Sequence, residues 1–367
     1  MTTPAPLAAT LDPASIGVEI KLRAGAARAV RISPRRRIDA GRLFRGQPAQ
    51  SAPMAVASIF TLCAASQRVA AEAAVAAAEG RSASLATRAR WLRALHAERI
   101  AEHLRACVLD APGDKADPQR RALGGALRAA LGAARGALAE GAEAAKLSLA
   151  LAAAAAEIGA PDTGEAPRGW FAHLLAHVAG LAEVAPFPQG VDFLAFADAG
   201  EIHRAMRERR PEFLARPSLG DRCVETGPFA RHFGNLRAQN GLLVARLRAL
   251  LLDFAQSLDA LRQATTEEEI ARRITTRSEA PGEGFAMVDS PRGFLCHRVE
   301  LDAAGTISAY DILAPTEWNF HPSGAFAKAL GGAHYGAGDP QALVAWLAFA
   351  FDPCAPCAIQ ISEDHHA

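Results

Sequence analysis

Very little net charge is carried by this chain. Its 367 residues contain 40 Lys and Arg against 39 Asp and Glu, which gives a formal charge of +1 at pH 7. Without a basic excess, there is no general electrostatic reason for the chain to bind nucleic acid or an acidic membrane surface. The three consecutive arginines at positions 35–37 are a local run, and we interpret them as a solvated stretch. We therefore expect no nucleic-acid partner.

Long apolar runs are also absent. A membrane-spanning helix needs about 20 predominantly apolar residues, whereas the longest candidate here, Leu147–Ala156, is short and consists mostly of alanine. The first residues, Met1–Leu11, do not combine a basic start with an apolar block, as a secretory signal does. We therefore expect no membrane span and a cytoplasmic location.

Cysteines are too sparse for a disulfide scaffold, and the cytoplasm would keep them reduced. Those that carry chemistry are therefore expected to be metal ligands or redox groups. The six are Cys63, Cys107, Cys223, Cys296, Cys354 and Cys357.

The apolar and polar patterns predict one mostly α-helical domain over residues 1–367, with small β elements (α+β). Alternation predicts a β segment at about 16–32. Sequence rich in Ala, Leu, Arg and Glu, with apolar residues at helical spacing, predicts a helical body at about 52–275. β-Branched and aromatic residues predict a β hairpin at about 285–313. A helix and a C-x-x-C motif are expected over 340–357.

The C-x-x-C formed by Cys354 and Cys357 is ambiguous by itself. It is compatible with half a zinc site, a thioredoxin-like redox pair or a chance occurrence. A zinc site normally needs a second pair, but Cys107 and Cys223 are isolated. A thioredoxin-like motif belongs after the first strand of a βαβ unit. Both common interpretations fit poorly, so the role of this motif has to be inferred from the neighbouring residues.

Those neighbours resemble the nickel–iron hydrogenase large subunit at four places, in the same order along the chain. Asp352–Cys357 is similar to the D-P-C-x-x-C motif of that family, and Ser290–His297 is similar to its A-P-R-G-x-L-x-H segment. Ala314–Asn319 resembles its P-T/S-x-W-N segment, and Glu225–Arg231 its G-P-L-A-R segment. The resemblance implies the helical fold of that large subunit, reduced in size.

The chain departs from the family at the N-terminal motif, R-x-C-G-x-C-x-x-x-H, which corresponds to residues 58–67. The second cysteine of this motif is present as Cys63, but Phe60 replaces the first and Gln67 replaces the histidine. The histidine that follows the C-terminal C-x-x-C in the family is Gln360 here.

The resemblance implies separate roles for the remaining cysteines. In the family the second cysteine of each pair bridges nickel and iron, and the first binds nickel alone. By position, Cys63 and Cys357 are implied to bind iron, and Cys354 corresponds to a nickel ligand whose partner is lost. Because removing one of four thiolates undermines a nickel site, the expected metal group is Fe(CN)2CO, without nickel.

The resemblance also implies which residues contact the cyanide ligands. Cyanides are anionic acceptors and need charge-assisted donors when buried. Arg292 and Thr316 have that implied role, and the neighbouring Pro291 and Pro315 belong to the same set. The alternative is an ordinary ion-paired arginine and a turn threonine. We expect His297, Trp318 and Asn319 to be structural, and Cys296 to be a small buried residue.

The function implied by the resemblance is assembly and not catalysis. The chain is similar to the HupK/HoxV group of hydrogenase expression proteins, which are large-subunit look-alikes. This implies a scaffold that holds Fe(CN)2CO transiently, between the iron-group assembly complex and the apo large subunit. Two alternatives remain open: a divergent large subunit or hydrogen sensor, and a C-x-x-C protein without the iron group.

Overall fold

The computed structural model describes residues 15–33, 40–160, 166–181, 192–208, 211–236 and 241–363. The arginine run at 35–37 and the segment Met1–Leu11 lie outside the described residues. No helix in these ranges is both long and apolar enough to cross a membrane.

Helices make up 56% of the structure. Several begin at a side chain that accepts a hydrogen bond from a backbone N–H of the first turn, namely Ser84, Asp117, Thr266 and Asp339. The helices are α1 (Ala40–Phe44), α2 (Ala52–Ile59), α3 (Ala64–Ala78), α4 (Leu85–Arg105), α5 (Pro118–Ala122), α6 (Gly124–Gly136), α7 (Ala144–Ile158), α8 (Gly169–Ala179), α9 (Ala199–Glu208), α10 (Glu212–Ala215), α11 (Pro228–Leu236), α12 (Leu242–Arg262), α13 (Glu267–Ala271), α14 (Pro315–Asn319), α15 (Ala325–Gly332) and α16 (Pro340–Ala350). A π-helical turn, Ala106–Asp110, extends α4.

Two small sheets accompany the helices. The first has the order β2-β1-β7, in which β1 (Ile16–Arg23) is antiparallel to β2 (Ala26–Ser33) and parallel to β7 (Cys357–Glu363). The second is antiparallel, with the order β3-β4-β5-β6. Its strands are β3 (Ile274–Arg277), β4 (Glu283–Ser290), β5 (Gly293–Leu301) and β6 (Ile307–Leu313).

Close packing of α3 on the second sheet positions the residues that start α3. Gly284 on β4 faces Ala74 and Ala78 of α3, and a Cβ atom at position 284 would lie only 2.0 Å from the Ala74 carbonyl oxygen. The helix backbone can therefore approach the strand only because this side chain is absent. Apolar side chains of α3, β4, β5 and β6 fill the rest of this contact.

The prediction of a mostly α-helical chain with small β elements is confirmed. Two strands lie outside the β segments that the sequence patterns predict. Residues 274–277, at the end of the predicted helical body, join the second sheet as β3. Residues 357–363, which follow the predicted C-terminal helix, pair with β1. Both strands are short and lie at the edges of their sheets. The partner of β7 is distant in sequence, and the pairing of β3 is set by tertiary packing.

Candidate metal centre

Cys63 lies in the connection between α2 and α3, with its side chain buried (7% exposed). Its φ of +57° is uncommon for a residue with a side chain. Glu98 of α4 accepts hydrogen bonds from the backbone N–H groups of Ala65 (2.6 Å) and Ser66 (2.9 Å) at the start of α3. A carboxylate at a helix N-terminus is favourable, so α4 fixes the backbone that carries this thiol.

Arg292 occupies the turn between β4 and β5 and is almost completely buried (2% exposed). Its Nη1 donates to Cys63 Sγ (2.9 Å) and to Glu102 Oε2 (3.0 Å). Its Nη2 lies 3.3 Å from Asp352 Oδ1 but is not aligned for a hydrogen bond. Among the described residues, Nε and Nη2 have no hydrogen-bond partner. Two buried donors at the site are thus unused.

Burial and neighbouring charges set the protonation states of Arg292 and Cys63. Burial lowers the pKa of Arg292, but Asp352, Cys63 and Glu102 outweigh it, and the net pKa is raised. Burial raises the pKa of Cys63 well above its ordinary value, and the opposing effect of Arg292 is smaller. The site therefore combines a charged guanidinium with a thiol that retains its proton, and a metal that binds this thiol must displace the proton.

Thr316 connects α14 to the C-terminal cysteine pair. Its hydroxyl donates to Cys354 Sγ (2.9 Å) and accepts from the Cys354 backbone N–H (3.2 Å). Pro315 takes the first position of α14, where a missing N–H costs nothing. The threonine is therefore held against the thiol by two hydrogen bonds.

Two cavities adjoin these residues. The inner cavity, of about 220 Å³, is lined by Phe60, Cys63, Arg292, Pro315 and Cys354, among others. The outer cavity, of about 520 Å³, is lined by Arg105, Asp110, Lys115, Cys354 and Cys357, among others. Cys354 and Leu62 line both cavities.

The structure thus brings Cys63, Arg292, Pro315 and Cys354 to the inner cavity, with Thr316 bonded to the last of these. Cys357 lines the outer cavity, and burial raises its pKa to about 12. Across the described ranges, no group of three or more His, Cys, Asp or Glu side chains is arranged to hold a metal ion. The sharing of one iron by Cys63 and Cys357 stays a prediction.

Pro291 lies behind the cavity wall. Its carbonyl accepts a hydrogen bond from Arg231 Nη2 (2.9 Å), and the same guanidinium binds both carboxylate oxygens of Asp253 on α12 (2.7 Å each). Arg231 belongs to the segment that resembles G-P-L-A-R. This arginine therefore fixes the backbone next to Arg292 and does not itself line the inner cavity.

Thr226, which the motif comparison does not single out, joins three of the motif segments. The Asn319 side chain accepts from the Thr226 N–H (2.9 Å) and donates to the Thr226 carbonyl (3.0 Å). The Thr226 hydroxyl accepts from the Phe294 N–H (3.0 Å). Gly227 and Gly293 both have positive φ, and a Cβ on either would come within 2.7 Å of the facing segment. Only glycine permits this close approach.

A buried ion pair supports the C-terminal cysteines. Arg246 of α12 binds Glu225 (2.7 Å), and its guanidinium lies 3.5 Å from the ring centroid of Phe351 and 4.3 Å from that of Phe229. Cation–π contacts of this kind are strengthened by burial. Since Phe351 precedes Asp352, Arg246 is a positioning residue for the C-terminal motif.

Three further residues of the motifs, His297, Trp318 and Cys296, pack against other side chains of the protein. His297 lies 2.8 Å from both Tyr310 Oη and Gln67 Oε1, and burial lowers its pKa to about 3, so it is neutral. Trp318 packs edge-on against Phe213. Cys296 is fully buried in an apolar cluster.

The fold defines the class of protein. The structure is similar to the [NiFeSe]-hydrogenase of Dm. baculatum, with a TM-score of 0.64 at 15% identity over 91% of this chain and 95% of that chain. It is also similar to the Ni-Fe-Se hydrogenase of D. vulgaris Hildenborough, with a TM-score of 0.62 at 17% identity and the same coverage. The profile of the nickel-dependent hydrogenases matches residues 230–360. The chain therefore has the fold of a nickel-dependent hydrogenase subunit.

The sequence comparison is more specific. The chain is 32% identical to the hydrogenase expression/formation protein HupK of Rhizobium leguminosarum bv. viciae over 96% of its length and 98% of that protein. It is 33% identical to HupK of Bradyrhizobium diazoefficiens, over 92% and 94%, and 29% identical to HoxV of Cupriavidus necator, over 88% and 91%. The chain belongs to the HupK/HoxV family of hydrogenase expression/formation proteins.

Proposed function

We propose that this chain is a non-catalytic scaffold of hydrogenase maturation, which holds Fe(CN)2CO in the inner cavity and passes it to an apo large subunit. The family name supports the maturation role, since the relatives are expression/formation proteins. The observation that carries the proposal is Arg292, a charged, buried guanidinium beside a cysteine. Two of its nitrogens have no hydrogen-bond partner in the part of the chain that the structure describes, although one of them lies 3.3 Å from Asp352 Oδ1. An unused buried donor is costly unless a ligand accepts from it.

The iron group matches these donors. Fe(II) with two cyanides and one carbon monoxide is formally neutral and becomes a dianion when two thiolates bind it. The positive charge of Arg292 offsets part of that charge, and its free nitrogens can donate to cyanide nitrogen atoms. Each hydrogen bond to a charged group contributes about 1.5–3 kcal/mol. The Thr316 hydroxyl, which donates to Cys354 Sγ, can add a further donor.

Nickel is excluded by ligand count. Phe60 lines the inner cavity at the position of the first cysteine of the family motif, and a phenyl ring cannot coordinate metal. The site therefore keeps thiolates for iron but lacks the four that the family uses for both metals.

Motif position and geometry indicate different cysteines as the second ligand of the iron, beside Cys63. Motif position favours Cys357 as the partner of Cys63. In this conformation, however, Cys354 lines the inner cavity and Cys357 does not. Comparison of Cys354→Ala with Cys357→Ala distinguishes the two, since loss of a ligand changes the cyanide and carbon monoxide stretching frequencies.

We also propose the donor and the acceptor of the cargo. The iron-group assembly complex delivers Fe(CN)2CO in the cytoplasm, and the apo hydrogenase large subunit receives it. Co-purification of each partner with the chain, before and after loading, tests these assignments.

Infrared spectroscopy of the chain, purified anaerobically from cells that contain the maturation machinery, tests the proposal itself. Wild type should show cyanide and carbon monoxide stretches. Cys63→Ala should lose the wild-type bands and about 90% or more of the bound iron, in line with the 10–100-fold effects of metal-site substitutions. Cys223→Ala, which removes a half-buried thiol outside both cavities, is the matched control. Equal bands in wild type and Cys63→Ala would reject this site.

A further inference from the structure

The outer cavity shares one feature with the inner cavity, a cysteine together with an arginine. Each cavity is lined by a cysteine and by an arginine with a buried nitrogen that has no hydrogen-bond partner among the described residues. The inner cavity has Cys63 and Arg292, and the outer cavity has Cys357 and Arg105. Arg105 binds Asp110 through Nη1 (2.8 Å) and Glu102 through Nε (3.1 Å), which leaves Nη2 unused. A donor and a thiol suited to the iron group are therefore present twice.

The two cavities share their wall. Cys354 lines both, and Glu102 Oε2 accepts from Arg292 Nη1 (3.0 Å) and from Arg105 Nε (3.1 Å). One carboxylate oxygen thus holds the two guanidinium groups side by side. A ligand exchanged between the two cavities would therefore pass the Cys354 thiol, near both guanidinium groups.

Strand pairing keeps Cys357 in the outer cavity. It is the first residue of β7 and lies opposite Ile16 of β1, and the Ile16 N–H donates to the carbonyl of Pro356 (2.8 Å). The thiol cannot move to the inner cavity unless this parallel pairing opens. The π-helical turn Ala106–Asp110 contributes Leu109 and Asp110 to the other side of the cavity, and such turns are frequent at functional sites.

We propose that the outer cavity is a second site for the iron group, in which Cys357 and Arg105 receive it before Cys354 passes it inward to Cys63. This inference rests on the proposed function. Each transfer is a thiolate exchange at iron: one Fe–S bond forms as another breaks, and the cyanides, the carbon monoxide and the oxidation state of iron are retained. The entering thiol loses a proton, and the departing Cys357 thiolate gains one. Release to an acceptor is the reverse path.

The first test follows loading of Cys357→Ala. The chain is induced in cells with the maturation machinery and purified at intervals, and the intensity of the infrared bands per chain is measured. We expect wild-type band positions but loading slower by about tenfold or more. Loading at the wild-type rate would overturn the relay. Loss of the wild-type bands would also overturn it, because Cys357 would then be a permanent inner ligand, whereas the proposed function would stand. Absence of bands from wild type would reject both.

The second test uses Arg105→Gln, which removes the outer donor and leaves all three thiols. Loading should again slow by about tenfold without a shift of the bands. Arg93→Gln is the matched control, since Arg93 lies on the same helix, donates to the Ala137 carbonyl (3.2 Å) and lines neither cavity. Equal circular dichroism of the variants separates a loading defect from misfolding. An Arg105→Gln variant that loads as fast as the control would overturn the relay.

Discussion

At the scale of single residues, the proposed preference of the site for iron over nickel rests on Phe60 and Cys63. Cys63 is aligned by Arg292 through a 2.9 Å hydrogen bond. Phe60, three positions earlier, lies at the cavity and packs against the apolar cluster beneath α3. In the proposed function Cys63 supplies a thiolate to iron, and Phe60 occupies the position of a family nickel ligand. On this proposal, the difference between a carrier of iron and a site for two metals depends on Phe60 and its surroundings.

Restoring that thiol should not by itself create a hydrogenase. Phe60→Cys supplies a fourth thiolate, so some nickel binding becomes possible on ligand count alone. Gln67 and Gln360 still replace family histidines, and residues behind the ligands commonly change metal affinity or activity 10–100-fold. We expect a modest gain of nickel, measured by elemental analysis, and no hydrogen oxidation with an artificial electron acceptor. Robust hydrogen uptake by this variant would favour a divergent enzyme.

The guanidinium of Arg292 should not be replaceable by an ammonium group. Arg292→Lys keeps the positive charge but loses the planar fork of donors. We expect about tenfold lower iron retention and shifted cyanide bands. The control is Arg298→Lys, which replaces a buried arginine on β5, the strand that follows Arg292. Arg298 pairs with Glu283 and Asp311, so this variant should leave the bands unchanged. Identical spectra for Arg292→Lys and wild type would contradict the cyanide contact.

At the scale of elements, the site is a junction of segments held by backbone contacts. The β4–β5 turn, the start of α11 and the end of α14 meet through Thr226 and Asn319. Side chains of the cavity are thereby carried on short, hydrogen-bonded connections between rigid elements. A disturbance of this junction should affect the stability of the fold as well as the site.

The β4–β5 turn approaches Thr226 most closely at Gly293. In Gly293→Ala the new Cβ would lie 2.5 Å from the Thr226 side chain at a φ of +124°, and overpacking together with backbone strain should lower the free energy of unfolding by about 2–4 kcal/mol. The control Gly132→Ala in α6 places its Cβ in open space and should raise stability by up to about 1 kcal/mol. Urea denaturation of the apo proteins measures both. Equal stability of Gly293→Ala and wild type would contradict the packing described for this turn.

The sequence predicts the parts of the site that lie in contiguous motifs. Arg292, Thr316 and Cys354 are found together because each stands in a short segment with several recognisable neighbours. Glu98 and Glu102 of α4 could not be identified as site residues from the sequence, since a glutamate on an amphipathic helix is usually solvated. The position of Cys357 depends on pairing between β7 and β1, at opposite ends of the chain, and alternation in so short an edge strand does not specify its partner.

At the scale of the whole molecule, a buried charge cluster connects the helical body to the sheet that carries Arg292. Asp253 of α12 and Asp289 of β4 share Arg231 and Arg99, with distances from 2.6 to 3.5 Å, and Arg273 also binds Asp289 (2.6 Å). Breaking a buried pair leaves an uncompensated charge and costs about 3–5 kcal/mol. The cluster therefore makes the backbone near Arg292 dependent on the packing of distant helices.

This cluster should make stability fall in acid. Burial raises the pKa of Asp289, but Arg231, Arg99 and Arg273 outweigh it and lower that pKa to about 2. The unfolded value is about 3.9, so the stabilisation is present above about pH 4 and is lost as pH falls through about 2, by roughly 2.6 kcal/mol in all. Asp289→Asn should be less stable at pH 7 and show a shallower acid dependence, measured by urea denaturation from pH 6 to pH 3. Glu268→Gln, at an exposed pair with Arg272, is the control. An unchanged acid slope in Asp289→Asn would contradict this assignment.

The central claim, that this chain carries Fe(CN)2CO without nickel, is tested most directly on the wild-type protein. The chain is isolated anaerobically from cells with the complete maturation machinery, its infrared spectrum is recorded, and iron and nickel are measured in the same sample. We predict two cyanide stretches and one carbon monoxide stretch, with iron present and nickel at background. A folded protein without these bands, or one with equal amounts of nickel and iron, would contradict the claim.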